Sequence, residues 1–170
     1  MDIKKYIADV PDFPKKGVSF KDISPLLADP KAWAGAIDDM HDKIAKYKPD
    51  VLMGIDARGF LVAAPIAYKA GIPFGLVRKS GKLPGDTVSL TYDLEYGQDT
   101  LEVNKAVITK GMRVVICDDL LATGGTAKAA VDLVAKCGGE VVALACFIEL
   151  SYLNGRKKVG NIPAEVLAIY

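Results

Sequence analysis

The sequence predicts an α/β fold with a mostly parallel sheet that is flanked by helices on both faces. Apolar runs of strand length alternate with segments of helical periodicity along most of the 170 residues, as in parallel sheets joined by helices. The runs are almost continuously apolar, which is typical of strands buried on both sides. Hydrophobic residues make up 51% of the chain, so we expect one domain over residues 1–170 with its own core.

The first strong element is a helix that begins after Asp29. Asp29 can cap it, Pro30 suits the first helical position, and an apolar stripe follows at Trp33, Ile37, Met40 and Ile44. The later elements follow in order. They are a strand in 50–56, a helix in 59–70 ended by Gly71, a strand in 72–79, a strand in 111–119, a helix in 124–137 closed by two glycines, a strand in 140–150 and a last strand in 164–170.

Two segments depart from this alternation. Residues 1–28 contain three prolines and no strong period, so we expect an irregular N-terminal cap there. Within residues 80–105, the run TVSLTYDLEYGQDTLEVNK alternates polar and apolar positions around Gly97. This alternation predicts an antiparallel hairpin or a flexible loop.

The charge of the chain indicates which partners it binds, and its cysteine content indicates the cellular compartment. Lys plus Arg number 22 and Asp plus Glu 21, for a net charge of +1, so we expect neither nucleic acid nor membrane as a partner. The three cysteines, Cys117, Cys137 and Cys146, are odd in number and widely spaced. That spacing suits neither a disulfide framework nor a protein-held metal, and we expect a cytoplasmic protein.

The stretch RVVICDDLLATGGTAKAA, residues 113–130, has the features of an anion-binding loop. The strand is expected to end at Asp118, and ligands of such sheets bind beyond the carboxyl ends of the strands. Gly124 and Gly125 let backbone amides approach a ligand, and the following helix begins there with its partial positive charge. Thr123 and Thr126 add hydroxyl donors, so the loop predicts a phosphate site.

Asp118 and Asp119 precede this loop, although two carboxylates would repel a phosphate. Carboxylates do accept hydrogen bonds from a vicinal diol, so a sugar phosphate reconciles the two features. An ordinary strand–turn–helix, in which the aspartates serve as caps, is the alternative. No Walker loop, GxGxxG, GxSxG or HExxH motif occurs in the chain, which removes several common competitors.

The segment VVICDDLLATGGT closely resembles the motif that binds 5-phosphoribosyl-1-pyrophosphate (PRPP) in type I phosphoribosyltransferases. Four more segments resemble the adenine phosphoribosyltransferases of that family in order and spacing, so that the resemblance covers nearly the whole chain. They are FPKKGVSFKDISPLL (13–27), GIDARGF (54–60), VRKSGKLPG (77–85) and YDLEYG (92–97). The resemblance implies the type I phosphoribosyltransferase fold, with residues 1–28 as a small hood that recognises the base and a flexible loop within 80–105.

The resemblance also implies which residues bind PRPP. Asp118 and Asp119 would hold the ribose hydroxyls, and Arg58 would contact the pyrophosphate as a catalytic cation. The amides that would hold the 5′-phosphate belong to Ala122, Thr123, Gly124, Gly125 and Thr126. Further pyrophosphate contacts would come from Arg78, Lys79, Lys82 and Tyr96. Because the family commonly extends this basic loop into a neighbouring subunit, we expect a homodimer.

On the base side, the resemblance implies that Phe20 stacks on the purine and that Leu120 covers its other face. Backbone groups near Ser19 and Lys21 would read the edge of the base. Glu95 would manage the proton that the base loses. The implied cofactor is Mg²⁺, held mainly by pyrophosphate oxygens, ribose hydroxyls and water rather than by protein ligands.

The implied reaction is adenine plus PRPP giving AMP and pyrophosphate, a step of purine salvage. Two alternatives remain open from the sequence. One is a phosphoribosyltransferase for another purine base, and the other is a regulator that keeps the PRPP fold but binds nucleic acid. The near-neutral charge speaks against the second.

The implied role of Glu95 leads to a first prediction. Glu95→Gln keeps the side-chain shape and removes the basic oxygen, so kcat should fall by roughly 10²–10⁴, the usual worth of general acid–base help. PRPP affinity, measured by calorimetry, should stay close to that of the unmodified protein. An unchanged kcat, under conditions in which chemistry limits turnover, would exclude Glu95 from proton transfer.

Overall fold

The predicted α/β fold with a mostly parallel sheet is confirmed. The computed structural model describes residues 1–93 and 97–170. Its strands are β1 (Ala8–Val10), β2 (Phe20–Asp22), β3 (Val51–Ile55), β4 (Phe74–Lys79), β5 (Thr87–Asp93), β6 (Gln98–Asn104), β7 (Arg113–Leu121), β8 (Glu140–Glu149) and β9 (Ala164–Ile169). Its α-helices are α1 (Ser24–Ala28), α2 (Pro30–Ala45), α3 (Arg58–Ala70), α4 (Gly125–Lys136) and α5 (Gly155–Val159).

The main sheet of the described residues has seven strands in the order β5-β6-β4-β3-β7-β8-β9. The strands β4, β3, β7, β8 and β9 pair in parallel. The hairpin β5–β6 adds to one edge antiparallel, with β6 against the end of β4. This topology sets the carboxyl ends of β3 and β7 side by side near the centre of the sheet, where α/β proteins bind ligands.

The sheet is buried on both faces, which explains its almost continuously apolar strands. In β3, Leu52 belongs to the core beneath α1, α2 and α3, whereas the neighbouring Met53 belongs to the core beneath α4. Successive residues of a strand point to opposite faces, so both positions must be apolar. The same alternation recurs in β7, where Val115 and Ile116 belong to the two opposite cores.

Helix α2 begins and packs as the sequence predicts. The carboxylate of Asp29 accepts hydrogen bonds from the amides of Lys31 and Ala32 at 2.9 and 3.0 Å. Ile37, Met40 and Ile44 are buried, and the partly buried Trp33 ring meets the Phe147 ring edge-on, with centroids 5.6 Å apart. The N-cap and the apolar stripe that the sequence predicts are therefore both present, and the stripe faces the core.

The first 28 residues hold more regular structure than the sequence predicts. Strands β1 and β2 pair antiparallel, with Val10 opposite Phe20. Two carboxylates order the connection, since Asp9 accepts from the Ser19 hydroxyl and Asp12 accepts from the amide of Gly17 at 2.6 Å. These hydrogen bonds have no periodicity, so a pattern of hydrophobic residues does not reveal them.

Strand β7 is also longer than the sequence predicts. The predicted range ends at residue 119, whereas the strand continues through Leu121, because Leu120 and Leu121 pair with Ile148 and Glu149 of β8. The two aspartates therefore lie within the strand and not at its last residues. Their backbone is fixed by the sheet.

The cysteines are free thiols within the fold. Cys117 and Cys146 lie on the adjacent strands β7 and β8 and are buried. Burial raises the pKa of both thiols, which keeps them protonated and inert, as a small buried hydrophobe would be. Across residues 1–93 and 97–170, no helix combines the length and apolarity that a membrane span requires.

Helix α3 packs unusually close to β7, and a glycine makes this possible. A Cβ atom added at Gly59 would collide with the carbonyl oxygen of Cys117. Gly59→Ala should therefore lower the free energy of unfolding by about 1–3 kcal/mol, the usual cost of overpacking. Thermal or denaturant unfolding measures this change.

Gly35→Ala in α2 is the matched control. Its added methyl group would meet only the end of the flexible Met1 side chain, and replacing a glycine inside a helix is worth about 0.5–1 kcal/mol of stability. The two substitutions should thus have opposite signs. A Gly59→Ala protein as stable as the unmodified one would contradict the tight packing.

Candidate active site

A cleft opens where β3 and β7 end. Its main part has a volume of about 430 Å³ and a smaller pocket of about 100 Å³ lies beside it, with Asp118 and Thr126 lining both. Residues of the larger part come from the turn after β3, the end of β7, and β4, β5 and β6. They are Ile55, Asp56, Ala57, Arg58, Lys79, Tyr92, Asp99, Leu101, Asp118, Asp119, Leu120 and Thr126.

The smaller pocket is lined by the predicted phosphate loop, residues 122–126. Gly124 has a φ of +79°, a conformation that favours glycine, and it is the N-cap of α4. Since Gly124 has no side chain with which to cap the helix, the first amides of α4 are left for another acceptor. This geometry is that of an anion site at a helix N-terminus.

Asp118 lines both pockets and Asp119 lines the larger one, so both predicted residues face the cleft. One oxygen of Asp118 accepts from the amide of Asp119 at 2.9 Å. Burial, with the neighbouring Asp119 carboxylate, raises the pKa of Asp118 well above its ordinary value. A carboxylate pair held this close is poorly solvated. A ligand that donates hydrogen bonds or carries positive charge therefore stabilises its charged form.

Asp119 is 3% exposed, and its charge is balanced by Arg58. The Nε of Arg58 lies 2.9 Å from Oδ2 of Asp119. That oxygen nevertheless accepts no hydrogen bond from the described residues. The positive charge of Arg58 therefore balances the buried carboxylate of Asp119.

Arg58 also contacts the predicted base segment. Its guanidinium carbon lies 5.0 Å from the centroid of the Phe20 ring, the geometry of a cation–π contact. The side chain of Arg58 is 40% exposed and lines the cleft. Arg58 therefore joins Phe20 to Asp119.

The residues proposed for pyrophosphate take different positions. Lys79 lines the cleft, and its Nζ lies 2.9 Å from Oδ2 of Asp99. The hydrogen bond with Asp99 raises the pKa of Lys79. Arg78 instead braces the turn after β3, donating from Nε to Asp56 at 2.8 Å and from Nη1 to the carbonyl of Lys82 at 3.0 Å. The Lys82 side chain is exposed.

The segment around Phe20, which is predicted to bind the base, forms a third pocket of about 380 Å³. It is lined by Val10, Phe13, Phe20 and Asp22. The rings of Phe13 and Phe20 meet edge-on, with centroids 5.2 Å apart. Leu120, predicted to cover the base, lines the cleft. Because Arg58 lines the cleft and contacts Phe20, the two regions meet at its side chain.

Ser19 and Lys21 flank Phe20, but their side chains turn to the hood. The Ser19 hydroxyl donates to Asp9 at 2.9 Å, and the Lys21 ammonium pairs with the same carboxylate. Lys21 also lies 4.1 Å from the centroid of the Tyr170 ring. The side chains of the two residues are thus engaged within the N-terminal segment, and the predicted role of their backbone groups stays a prediction.

Glu95 and Tyr96, predicted as site residues, lie outside the described residues. Among residues 1–93 and 97–170, no group of three or more histidine, cysteine or acidic side chains is arranged to hold a metal ion. Phe13, Asp56 and Asp99 were not predicted from the sequence as residues of the site. Phe13 and Asp56 lie inside segments that carried the resemblance, whereas the contact of Asp99 with Lys79 depends on pairing between β4 and β6.

A carboxylate pair followed by a glycine-containing loop lies at the carboxyl edge of the mostly parallel sheet, where the sequence resembles the phosphoribosyltransferases. The family model of the phosphoribosyl transferase domain matches residues 21–166, and the chain belongs to this family.

Relatives along the full length refine the assignment. The adenine phosphoribosyltransferase of Rhodospirillum rubrum is 55% identical, over 100% of this chain and 99% of its own. Among solved structures, that of Thermoanaerobacter pseudethanolicus has a TM-score of 0.95 at 47% identity, covering 99% of this chain and 98% of its own. That of Saccharomyces cerevisiae, complexed with adenine and an imino-altritol bisphosphate, has a TM-score of 0.90 at 36% identity over 97% and 96%. Within the family, the chain is one of the adenine phosphoribosyltransferases.

The raised pKa of Asp118 predicts that this residue destabilises the ligand-free protein. Holding its charge costs free energy in the fold at neutral pH, and this cost disappears as pH falls through the raised pKa and the folded protein takes up a proton. Asp118→Asn should raise Tm at pH 7.5 by roughly 2–4 °C, which corresponds to about 1 kcal/mol in a chain of this size. The difference from the unmodified protein should shrink as pH falls through the raised pKa of Asp118.

Asp119→Asn is the control for this experiment. It leaves Arg58 without its carboxylate, so it should not stabilise the protein in the same way. Scanning calorimetry of both variants between pH 5 and 8 provides the measurement. An Asp118→Asn protein less stable than the unmodified one at pH 7.5 would contradict the assigned cause.

Proposed function

We propose that this protein transfers the 5-phosphoribosyl group of PRPP to adenine, giving AMP and pyrophosphate in purine salvage. The observation that carries the proposal is the carboxylate pair of Asp118 and Asp119, which lines the cleft next to the uncapped start of α4. A ribose phosphate satisfies both groups at once. The full-length relatives named adenine phosphoribosyltransferase support adenine as the acceptor base.

The loop amides and the hydroxyls of Thr123 and Thr126 bind the 5′-phosphate. Asp118 and Asp119 accept hydrogen bonds from the two ribose hydroxyls, and such charge-assisted bonds are worth about 1.5–3 kcal/mol each. As pyrophosphate leaves, positive charge develops on the ribose ring. The carboxylate pair is fixed by the strand β7 and lies where it stabilises that charge without reorganisation.

The leaving pyrophosphate takes the opposite charge. Arg58 and Lys79 supply cations that line the cleft, and Arg78 holds the turn that carries Asp56. Lys82 is a further exposed cation, on the loop whose carbonyl Arg78 binds. Mg²⁺ prefers oxygen ligands, and Asp118 and Asp119 would help to hold it by orienting the ribose hydroxyls. Bound with PRPP, the ion would supply charge neutralisation at the pyrophosphate.

Adenine binds in the pocket of Phe13 and Phe20, with the Phe20 ring against its face. Backbone groups near Ser19 and Lys21 read its edge, and Leu120 covers it from the cleft. Glu95 and Tyr96 are proposed from the sequence alone, as proton acceptor and pyrophosphate contact. The contact between Arg58 and Phe20 brings the base site next to the ribose site, as an attack of the base nitrogen on the sugar requires.

We also propose a cytoplasmic homodimer. The exposed side of α3 carries Leu61 and Tyr68, one heptad apart and 39% and 91% exposed, with Phe74 at the start of β4. Apolar side chains repeated on one helix face are typical of a subunit interface. The free thiols suit a reducing compartment.

A panel of bases tests the function. With PRPP and Mg²⁺, adenine should give AMP with a kcat/KM at least about 100-fold above that for hypoxanthine, because a site built for an amino group leaves polar groups unpaired with an oxo base. Product mass identifies the nucleotide. Asp118→Asn combined with Asp119→Asn is the inactive control.

Comparable kcat/KM values for hypoxanthine or guanine would assign the enzyme to another base. No nucleotide from any base, together with a gel shift on nucleic acid, would favour a regulator instead.

A further inference from the structure

Helix α5 lies directly against the phosphate loop, although the two are far apart in sequence. A Cβ atom added at Gly124 would collide with the carbonyl oxygen of Gly155, and one added at Gly155 would collide with the carbonyl oxygen of Ala122. The two backbones therefore touch with no side chain between them. Any side chain on the adjoining face of α5 is held next to the loop.

The start of α5 is anchored to the sheet by an ion pair whose carboxylate is buried. Arg156 donates to Glu149 of β8 from Nε and Nη2 at 2.7 and 2.6 Å, and from Nη1 to the carbonyl of Ala164 at 2.8 Å. Glu149 is 5% exposed, and its hydrogen bonds raise the pKa of Arg156. A bidentate pair of this kind has little freedom to rearrange, so α5 keeps its place beside the loop.

Lys158 reaches from this helix to the opening of the loop. A methyl group placed on Gly125, the first residue of α4, would lie 3.7 Å from Nζ of Lys158 and 3.9 Å from Oγ1 of Thr123. The Cα–Cβ direction in a helix tilts toward its N-terminus, so this point lies on the side from which an anion approaches α4. The ammonium of Lys158 and the hydroxyl of Thr123 therefore lie beside the first residue of α4, whose amides have no side-chain cap.

The charge of Lys158 is available to a ligand. The side chain is exposed, and it forms no ion pair with a carboxylate in the described ranges 1–93 and 97–170. A cation next to uncapped helix amides adds to the field that attracts an anion. The neighbouring Lys157 is equally exposed but is not among the atoms near Gly125.

We propose that Lys158 is a phosphate-binding residue whose ammonium contacts the 5′-phosphate held by the loop of residues 122–126. The proposal rests on the proposed function of that loop. It extends the site to a helix that contributes no residue to either pocket of the cleft described above. Lys158 therefore raises the affinity for every ligand with a 5′-phosphate. It leaves the affinity for pyrophosphate unchanged, because pyrophosphate binds at the other end of the cleft.

Calorimetric titration with ribose 5-phosphate tests the assignment. Lys158→Ala should weaken binding about tenfold, as expected for loss of one partly solvated charge-assisted contact. Lys157→Ala makes the same change of net charge on the same helix and should leave the affinity within twofold of the unmodified protein. Lys158→Arg should restore most of the affinity, and Mg²⁺–pyrophosphate should bind equally to all four proteins.

Equal affinities of the Lys158→Ala and Lys157→Ala proteins for ribose 5-phosphate would overturn the proposal. So would a parallel loss of pyrophosphate binding in the Lys158→Ala protein, which would indicate a general disturbance of the site. The enzymatic proposal is judged separately, by AMP formation in the unmodified protein. A protein that forms no AMP but shows the specific Lys158 effect would keep this assignment and lose the other.

Discussion

The site depends on two adjacent carboxylates that a buried strand holds together. Asp118 and Asp119 continue β7, whose pairing with β8 extends to Leu121, so their backbones cannot separate to relieve the repulsion. Arg58 offsets part of the charge from the start of α3, and the phosphate loop follows immediately. The negative charge of the acid pair is thus followed, a few residues later, by the partial positive charge at the start of α4. A sugar phosphate has the matching order of groups, with hydroxyl donors next to an anionic phosphate.

Close approach of backbones keeps this arrangement in place. Gly59 allows α3 to lie against Cys117 of β7, and Gly124 and Gly155 allow α5 to lie against the phosphate loop. Helices on opposite sides of the sheet therefore reach the same strand end. A side chain at any of these positions would move a helix and, with it, Arg58 or Lys158.

An element of the fold or the site could be predicted from the sequence where a local signal, such as a cap or a glycine turn, coincided with an apolar pattern. Helix α2 has both a cap at Asp29 and an apolar stripe, and the phosphate loop has glycines at the end of an apolar run. The order within residues 1–28 could not be predicted, because it comes from single hydrogen bonds such as that between Asp12 and the amide of Gly17. Lys158 was also missed, since its approach to Gly125 depends on the packing of elements that are distant in sequence.

The position of Arg58 has a consequence for how the two substrates bind. Its guanidinium contacts the Phe20 ring on one side and the Asp119 carboxylate on the other, and these residues belong to the proposed base pocket and the proposed ribose site. A ligand that draws the guanidinium toward one contact changes the free energy of the other. Thermodynamic reciprocity then requires that the factor by which the base alters the affinity for the sugar phosphate equals the factor by which the sugar phosphate alters the affinity for the base. One side chain thereby makes the two halves of the site a coupled pair.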